Sequence, residues 1–212
     1  MTNVGKSRGR APPGGVRPDS RGARSRVLRI IGGAWRGRRL RFPAQEQIRP
    51  TPDRVRETLF NWLGPRVSGA RCLDLFAGSG ALGLEALSRG ASEVTFVEQD
   101  PVAVRELRAR LAEWRATGAR VEQGDAVRFL AGTAVPFDIV FLDPPFASDL
   151  LEQTTRLLEE RHWLAAHALI YVETDAHAGP PALPAQWAVT KAKQAGAVGY
   201  YLITRERGDG VQ

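Results

Sequence analysis

Apolar and polar positions along the chain alternate between the period of a strand and the period of a helix. The pattern predicts strands at 71–76, 93–97, 120–122, 137–142 and 168–172. Between them it predicts helices at 81–89, 101–115, from 126 onward and at 148–160. Strands that alternate with helices form a parallel sheet covered on both faces, so the predicted class is α/β with a doubly wound sheet.

Both ends of this region depart from the alternation. Near the C-terminus, 187–192 and 198–204 are joined through Gly196 without a helix, which predicts a terminal antiparallel hairpin. Near the N-terminus, 27–31 and 38–42 flank a glycine-rich turn and predict a second hairpin. Arginines alternate with apolar residues in its second strand, so one face meets the protein and the other meets solvent or phosphate.

A helix is predicted to begin just after position 50. Thr51 or Asp53 is expected to cap it, and Gly64 with the proline after it is expected to end it. An apolar stripe runs along one face of this helix and consists of Val55, Leu59, Phe60, Trp62 and Leu63.

The first 25 residues are rich in Gly, Pro, Arg and Ser, and we expect a disordered basic tail there. The predicted organisation is a tail at 1–25, an arginine-rich hairpin at 26–48, a globular domain at 49–207 and a short tail at 208–212. No apolar run approaches the roughly 20 residues of a membrane span, and the basic start has no apolar signal segment. A cytoplasmic protein is therefore expected.

Positive charge is concentrated at the N-terminal end. Residues 1–60 contain 15 Lys and Arg against 4 Asp and Glu, whereas residues 61–212 contain 15 against 19. An arm that binds phosphate backbones explains this asymmetry. A solvated, arginine-biased tail explains it equally well for the first 25 residues.

Cysteine and histidine usage argues against two kinds of site. Cys72 is the only cysteine and lies in an apolar run, so we expect a small buried side chain and no intrachain disulfide. His162 and His167 are five residues apart, which is not a metal-ligand spacing on a helix. No metal site is expected.

The strongest local signal is a strand that runs into a glycine-rich turn and then a helix, at 73–83. In a doubly wound sheet such a turn lies at the carboxyl edge, where its glycines let the backbone approach a ligand. Gly78, Gly80 and Gly83 also fit a dinucleotide-binding pattern. Asp74, four residues before the first of these glycines, argues against that alternative, as does a motif further along the chain.

Two more carboxylates follow predicted strands. Glu98 ends the second strand, where it can accept hydrogen bonds from both ribose hydroxyls of a bound nucleoside, NAD included. Asp125 follows the third strand, where it either accepts from an adenine amino group or caps the next helix.

The fourth strand ends in Asp143-Pro144-Pro145-Phe146. Together with 74–83, Glu98 and Asp125, in that order, this tetrapeptide resembles the class I methyltransferases that act on amino nitrogens. The resemblance implies a seven-stranded sheet with an antiparallel last strand, and S-adenosylmethionine as the cofactor. It assigns cofactor contacts to Thr51, Asp74, Phe76, Gly78, Gly80, Glu98, Asp125 and Asp143.

The tetrapeptide also suits the chemistry of an exocyclic amino group, which is a poor nucleophile because its lone pair is delocalised into the ring. The carboxylate of Asp143 and the carbonyl of Pro144 can accept its two N–H donors and aim the nitrogen at the methyl group. Phe146 offers a face on which a flipped base stacks, a contact worth roughly 1–3 kcal/mol. These three are the predicted catalytic residues.

A closer resemblance extends over 26–205. The segments 29–37, 49–63 and 76–90 are similar to the RsmD type of 16S ribosomal RNA guanine N2-methyltransferase. That resemblance implies a guanine of the small ribosomal subunit, or of its assembly intermediate, as the substrate, and a monomeric enzyme. By analogy 49–51 and the helix after it close over the cofactor. The predicted RNA contacts are Arg29, Arg36, Arg38, Arg39, Arg41 and Arg49.

Three alternatives remain from the sequence. A DNA adenine or cytosine amino-methyltransferase shares 143–146, but such enzymes usually carry a recognition insertion that is not visible here. In a protein glutamine methyltransferase the tetrapeptide normally starts with Asn, and no basic arm is expected. A non-catalytic ribosome-assembly factor would keep the basic hairpin, and the intact Asp143 argues against it.

Overall fold

A computed structural model describes Met1 and residues 25–43, 51–146 and 148–205; the predicted tails lie almost entirely outside these ranges. The strands are β1 Ser25–Arg29, β2 Arg39–Pro43, β3 Arg71–Asp74, β4 Glu93–Glu98, β5 Ala119–Gln123, β6 Phe137–Leu142, β7 Leu164–Asp175, β8 Trp187–Ala195 and β9 Val198–Arg205. The α-helices are α1 Asp53–Leu63, α2 Ala81–Ser88, α3 Pro101–Glu113, α4 Ala126–Leu130 and α5 Leu150–Glu160. Short 3₁₀ helices lie at Gly64–Val67 and Ala176–Ala178.

Seven of the described strands form one sheet in the order β5-β4-β3-β6-β7-β9-β8. Neighbours from β5 through β7 are parallel, while β9 is antiparallel to both β7 and β8. The parallel sheet, the terminal hairpin and the antiparallel last strand are therefore confirmed. Strand order reverses between β3 and β6, and ligands of doubly wound sheets bind at the carboxyl edge beside such a reversal.

Helices cover both faces of the sheet. On one face, α1, α2 and α3 pack through residues such as Leu59 and Leu84 against Phe96 and Phe141 of the sheet. On the other face, α4 and α5 pack against Leu73 and its neighbours on the central strands. Cys72 is fully buried in the first core, as expected, and burial raises the pKa of its thiol to about 12. No helix in the described ranges is long and apolar enough to cross a membrane.

Strand β7 is much longer than the predicted strand at 168–172. It runs on to Asp175, and its pairing with β6 shifts register between Phe137 and Ile139. Polar residues such as His167 and Glu173 interrupt the apolar run in the sequence, so the pattern hides the ends of the strand. The extension carries Glu173 to the carboxyl edge of the sheet.

The prediction that Thr51 or Asp53 caps α1 is wrong. The N-cap is Pro52, and no side chain makes a capping hydrogen bond there. The Thr51 hydroxyl instead donates to Glu173 at 2.7 Å, while the Asp53 carboxylate accepts from Arg56 at 2.6 Å. Each of these two side chains thus bonds to another side chain instead of to a backbone N–H of the first helical turn. Gly64 ends the helix as expected, with φ of 55°.

The N-terminal hairpin β1–β2 is fastened to the C-terminal part of α2. The buried carboxylate of Glu85 accepts the backbone N–H groups of Ile31 and Gly32, each at 2.8 Å, and also pairs with Arg56 and Arg89. One residue further, a Cβ at Gly33 would lie 1.8 Å from the carbonyl oxygen of α2's last residue, so only glycine fits. The hairpin turn is thus held in close backbone contact with α2.

Candidate active site

A cavity of about 1030 Å³ opens at the carboxyl edge of the sheet. Its walls come from the segments after β3, β4, β5, β6 and β7, and from the start of α1. The volume lies at the upper end of the range for small-molecule sites. The predicted site residues that line it are Thr51, Asp74, Phe76, Gly78, Glu98, Asp125, Asp143, Pro144 and Phe146.

Gly80 is not among the residues that line the cavity, whereas its neighbours Ser79 and Ala81 are, and its contact with the cofactor stays a prediction. Gly80 has φ of 76°, and a Cβ there would lie 2.7 Å from a methyl carbon of Leu107. Its role in the structure is to turn the chain into α2. Gly83 likewise allows close packing, because a Cβ there would lie 2.2 Å from the ring of Phe96.

Two carboxylates hold the glycine-rich turn in place. Asp74 accepts the backbone N–H of Gly83 at 2.9 Å. Glu98 accepts from Gly78 at 2.7 Å through Oε2 and from Asp100 at 2.8 Å through Oε1. Each carboxylate oxygen has a second lone pair, so Glu98 keeps the capacity to accept from a ligand.

Asp125 caps α4, which is one of its two predicted roles. Its Oδ1 accepts the backbone N–H of Arg128 at 3.0 Å and so caps α4. The side chain also lines the cavity, and the adenine contact stays a prediction.

The tetrapeptide begins directly after β6. Asp143 is half-buried and Pro144 is buried, whereas Phe146 lies at the rim with 46% of its surface exposed. The exposed ring leaves a face for an incoming planar group.

Glu173 is a cavity residue that the sequence interpretation does not identify. Only 3% of it is exposed, and its Oε1 accepts from the hydroxyls of Thr51 at 2.7 Å and Tyr171 at 2.8 Å. One sequence signal could have identified it, namely a carboxylate within an apolar strand. A Glu buried at such a position is almost always paired with another group. Its partner Thr51 lies 122 residues away in sequence, so no local motif contains both.

The cavity is strongly acidic. No Lys or Arg is present among the described residues that line it, and seven carboxyl groups are: Asp74, Glu98, Asp100, Asp125, Asp143, Glu173 and Asp175. Burial raises the pKa of Asp74 to about 7. Burial, then Glu173 and then Asp74, raise the pKa of Asp143 well above its usual value. Such a site favours a cationic ligand and disfavours the pyrophosphate of a dinucleotide.

The arginines of the N-terminal hairpin lie outside the cavity. Arg29, Arg36, Arg38 and Arg39 are exposed, and the guanidinium of Arg38 stacks over the ring of Trp114 at 5.3 Å. The side chain of Arg41 and the whole of Arg49, both predicted RNA contacts, lie outside the described part of the chain.

Comparison with known proteins covers most of the chain. The family model described as Conserved hypothetical protein 95 matches residues 28–204. Ribosomal RNA small subunit methyltransferase D of Escherichia coli (strain K12) is 54% identical over 179 residues, which are 84% of this chain and 90% of that protein. The protein of the same name from Haemophilus influenzae is 46% identical, with 82% and 92% covered. The chain belongs to the family that this model describes, together with these ribosomal RNA small subunit methyltransferase D proteins.

Solved structures agree with this family assignment. One from Escherichia coli, described as a candidate methyltransferase, yhhF, has a TM-score of 0.79 and 52% identity, covering 85% of this chain and 98% of that one. An RNA methyltransferase from Salinibacter ruber in complex with S-adenosyl-L-homocysteine has a TM-score of 0.59 and 19% identity, covering 77% and 98%. The predicted class I methyltransferase fold is thus confirmed.

Proposed function

We propose that this protein transfers a methyl group from S-adenosylmethionine to the exocyclic N2 amino group of a guanine in 16S ribosomal RNA. The observation that carries the proposal is the placement of Asp143, Pro144 and Phe146 directly after β6, in the acidic cavity at the carboxyl edge. The names of the relatives add support, since they are small-subunit ribosomal RNA methyltransferases.

The residues of the cavity fit S-adenosylmethionine. The cofactor carries a sulfonium and an ammonium group, and the described lining offers carboxylates without a competing Lys or Arg. Glu98 would hold the ribose hydroxyls through its second lone pairs, Asp125 the adenine amino group and Phe76 the apolar surface of the nucleoside. When bound, the cofactor supplies an electrophilic methyl group on sulfur.

Asp143 and Pro144 prepare the amino group for transfer. Their carboxylate and carbonyl oxygens accept its two N–H donors, and this turns the lone pair of the nitrogen toward the methyl group. Methyl transfer would form the N–C bond and break the bond between the methyl group and the cofactor's sulfur, which would become a neutral thioether, and the proton that the nitrogen then gives up would go to the Asp143 carboxylate. A carboxyl group whose pKa is raised well above its usual value suits that role. Phe146 stacks on the base.

The exposed arginines of the hairpin bind the RNA backbone, and the buried contacts of Glu85 hold them in a fixed place relative to the cavity. The substrate is the small ribosomal subunit or its assembly intermediate. The enzyme acts as a monomer in the cytoplasm. The cavity is negatively charged and the hairpin positively charged, so the RNA backbone stays at the hairpin while a single base enters the cavity.

Mass mapping of small-subunit RNA tests the proposal. RNA from cells that lack the protein should lose one N2-methylguanosine relative to RNA from complemented cells. Complementation with Asp143→Ala should leave that guanine unmodified. Loss of a methyl group from another base or another RNA would overturn the proposed substrate, and unchanged RNA modification would overturn the proposed reaction.

A further inference from the structure

Asp143 directly follows β6, and Glu173 lies two residues before the end of the neighbouring strand β7. Strands β6 and β7 are parallel and their last pair is Leu142 opposite Val172, so continuing this register by one residue brings Asp143 beside Glu173; the negative charge of Glu173 accordingly helps to raise the pKa of Asp143. Adjacent residues of paired strands are about 4.8 Å apart and point to the same face. Both line the cavity. Two carboxyl groups therefore stand next to each other where the base is proposed to bind.

The position of the Glu173 carboxylate is fixed from two directions. Thr51 reaches it from the segment before α1, and Tyr171 reaches it from two residues earlier on β7. Both are donors, and both bond to the same oxygen, Oε1. Burial raises the pKa of Glu173, while these two hydroxyls act in the opposite direction because they stabilise the charged form. The contacts thus favour a preoriented acceptor.

The edges of the bases differ in the atom beside the amino group. In guanine the 2-amino group stands between N3, which has a lone pair, and N1, which carries a hydrogen, so on the N1 side the amino group and the ring present adjacent donors. In adenine and cytosine the ring nitrogen next to the amino group carries a lone pair. Two adjacent carboxylates match the first edge, whereas the second would place a lone pair against a buried acceptor. An unmatched buried polar group is a strong source of discrimination.

We infer that Glu173 determines base specificity by accepting the N1–H of guanine while Asp143 receives the neighbouring amino group. This inference rests on the proposed function and names the residue that selects guanine. Glu173 is thus a specificity-determining residue, and Thr51 and Tyr171 are positioning residues that act through it.

The test changes the N1–H and the 6-oxo group of the substrate base and, separately, one group of the enzyme, so that the effect of the enzyme variant on the base preference isolates the contact at N1. An RNA substrate whose methylated guanine has been mapped is prepared with guanine or with 2-aminopurine at that position; 2-aminopurine keeps the 2-amino group but has a lone pair at N1. Wild-type protein should favour guanine in kcat/KM by on the order of 10²-fold. Glu173→Gln offers an amide N–H to that lone pair, so the preference should fall by about tenfold or more.

Asp175→Asn is the matched control, since it removes a carboxylate two residues along the same strand and the same cavity wall. It should keep the wild-type preference. If Glu173→Gln is too slow to assay, competition binding of the two RNAs, followed by 2-aminopurine fluorescence, measures the preference at the level of binding, which should fall in Glu173→Gln relative to wild-type protein. An unchanged preference in Glu173→Gln overturns the inference, as does loss of S-adenosylmethionine affinity in calorimetry, which would place Glu173 in the cofactor site. Wild-type protein that leaves the guanine N2 unmethylated would instead overturn the proposed function.

Discussion

The two sides of the cavity use carboxylates in different ways. Beside β3 and β4, Asp74 and Glu98 accept backbone N–H groups of the glycine-rich turn and of the chain just after β4. Beside β6 and β7, the hydroxyls of Thr51 and Tyr171 donate to Glu173, and Asp143 stands next to it. The first side uses its acceptors to hold the protein's own backbone, while the second keeps a pair of like charges close together.

We propose that this difference separates cofactor binding from methyl transfer. A carboxylate that also shapes a turn stabilises the fold and the ligand site at once, so its loss affects both. Burial and then repulsion by the neighbouring Glu173 raise the pKa of Asp143, and hydrogen-bond donors or a cation at the site would relieve that repulsion. We therefore expect substitutions on the β6–β7 side to change turnover and those on the β3–β4 side to change cofactor affinity.

The largest effect is expected for Asp143→Ala. Asp143 is proposed to orient the amino nitrogen and receive its proton, so its loss should lower kcat by on the order of 10²-fold or more. Calorimetry should still detect S-adenosylmethionine binding. Phe146→Ala is the companion variant and should mainly weaken productive RNA binding, by about the stacking contribution of 1–3 kcal/mol. Normal turnover by Asp143→Ala would contradict the proposed division.

Glu98→Ala changes the β3–β4 side of the cavity. It should weaken S-adenosylmethionine binding about tenfold or more, because a carboxylate acceptor is removed. RNA affinity should change little. Glu98→Gln keeps one acceptor oxygen and should have an intermediate effect, which separates ribose binding from a disturbed turn. If calorimetry gives wild-type affinity for both variants, the ribose is held elsewhere.

The pH dependence of the free energy of unfolding tests Asp74, on the β3–β4 side of the cavity. Burial raises the pKa of Asp74 from 3.8 to about 7, so between these pH values the folded protein binds the proton more tightly than the unfolded chain does. The free energy of unfolding of the ligand-free protein should therefore fall as pH rises from about 4 to about 7, and level off above. Asp74→Asn should flatten part of that slope in urea titrations.

The smallest effect on the cavity is expected from the hairpin. Replacing Arg36, Arg38 and Arg39 by Ala should lower RNA affinity, because each of these side chains is proposed to neutralise a phosphate. The log–log salt slope should fall by somewhat less than one unit for every phosphate that is no longer neutralised. Cofactor affinity should stay unchanged, which makes these variants a control for both sides of the cavity. An unaltered salt slope would mean that RNA is bound through another surface.

The fold is largely predictable because its signals are local. Alternating periods indicate the order of strands and helices, and the segment at 143–146 carries its chemistry in four consecutive residues. The roles of Thr51, Glu173 and Glu85 do not follow from the sequence in this way. Their partners are 122 residues away for Thr51 and Glu173, and 53 and 54 residues away for the backbone groups that Glu85 holds. Only the folded chain brings such pairs together.

Helix α2 has a consequence for how a target base would be chosen. It has eight residues, all of them buried, and so spans about 12 Å. One end continues from the glycine-rich turn at the cavity, and the other carries Glu85 and Ser88, which hold the hairpin. On the proposed function, a stiff element therefore sets the separation between the RNA-binding arginines and the cavity. The enzyme would then accept only a guanine whose distance from the RNA backbone bound at the hairpin matches this fixed separation.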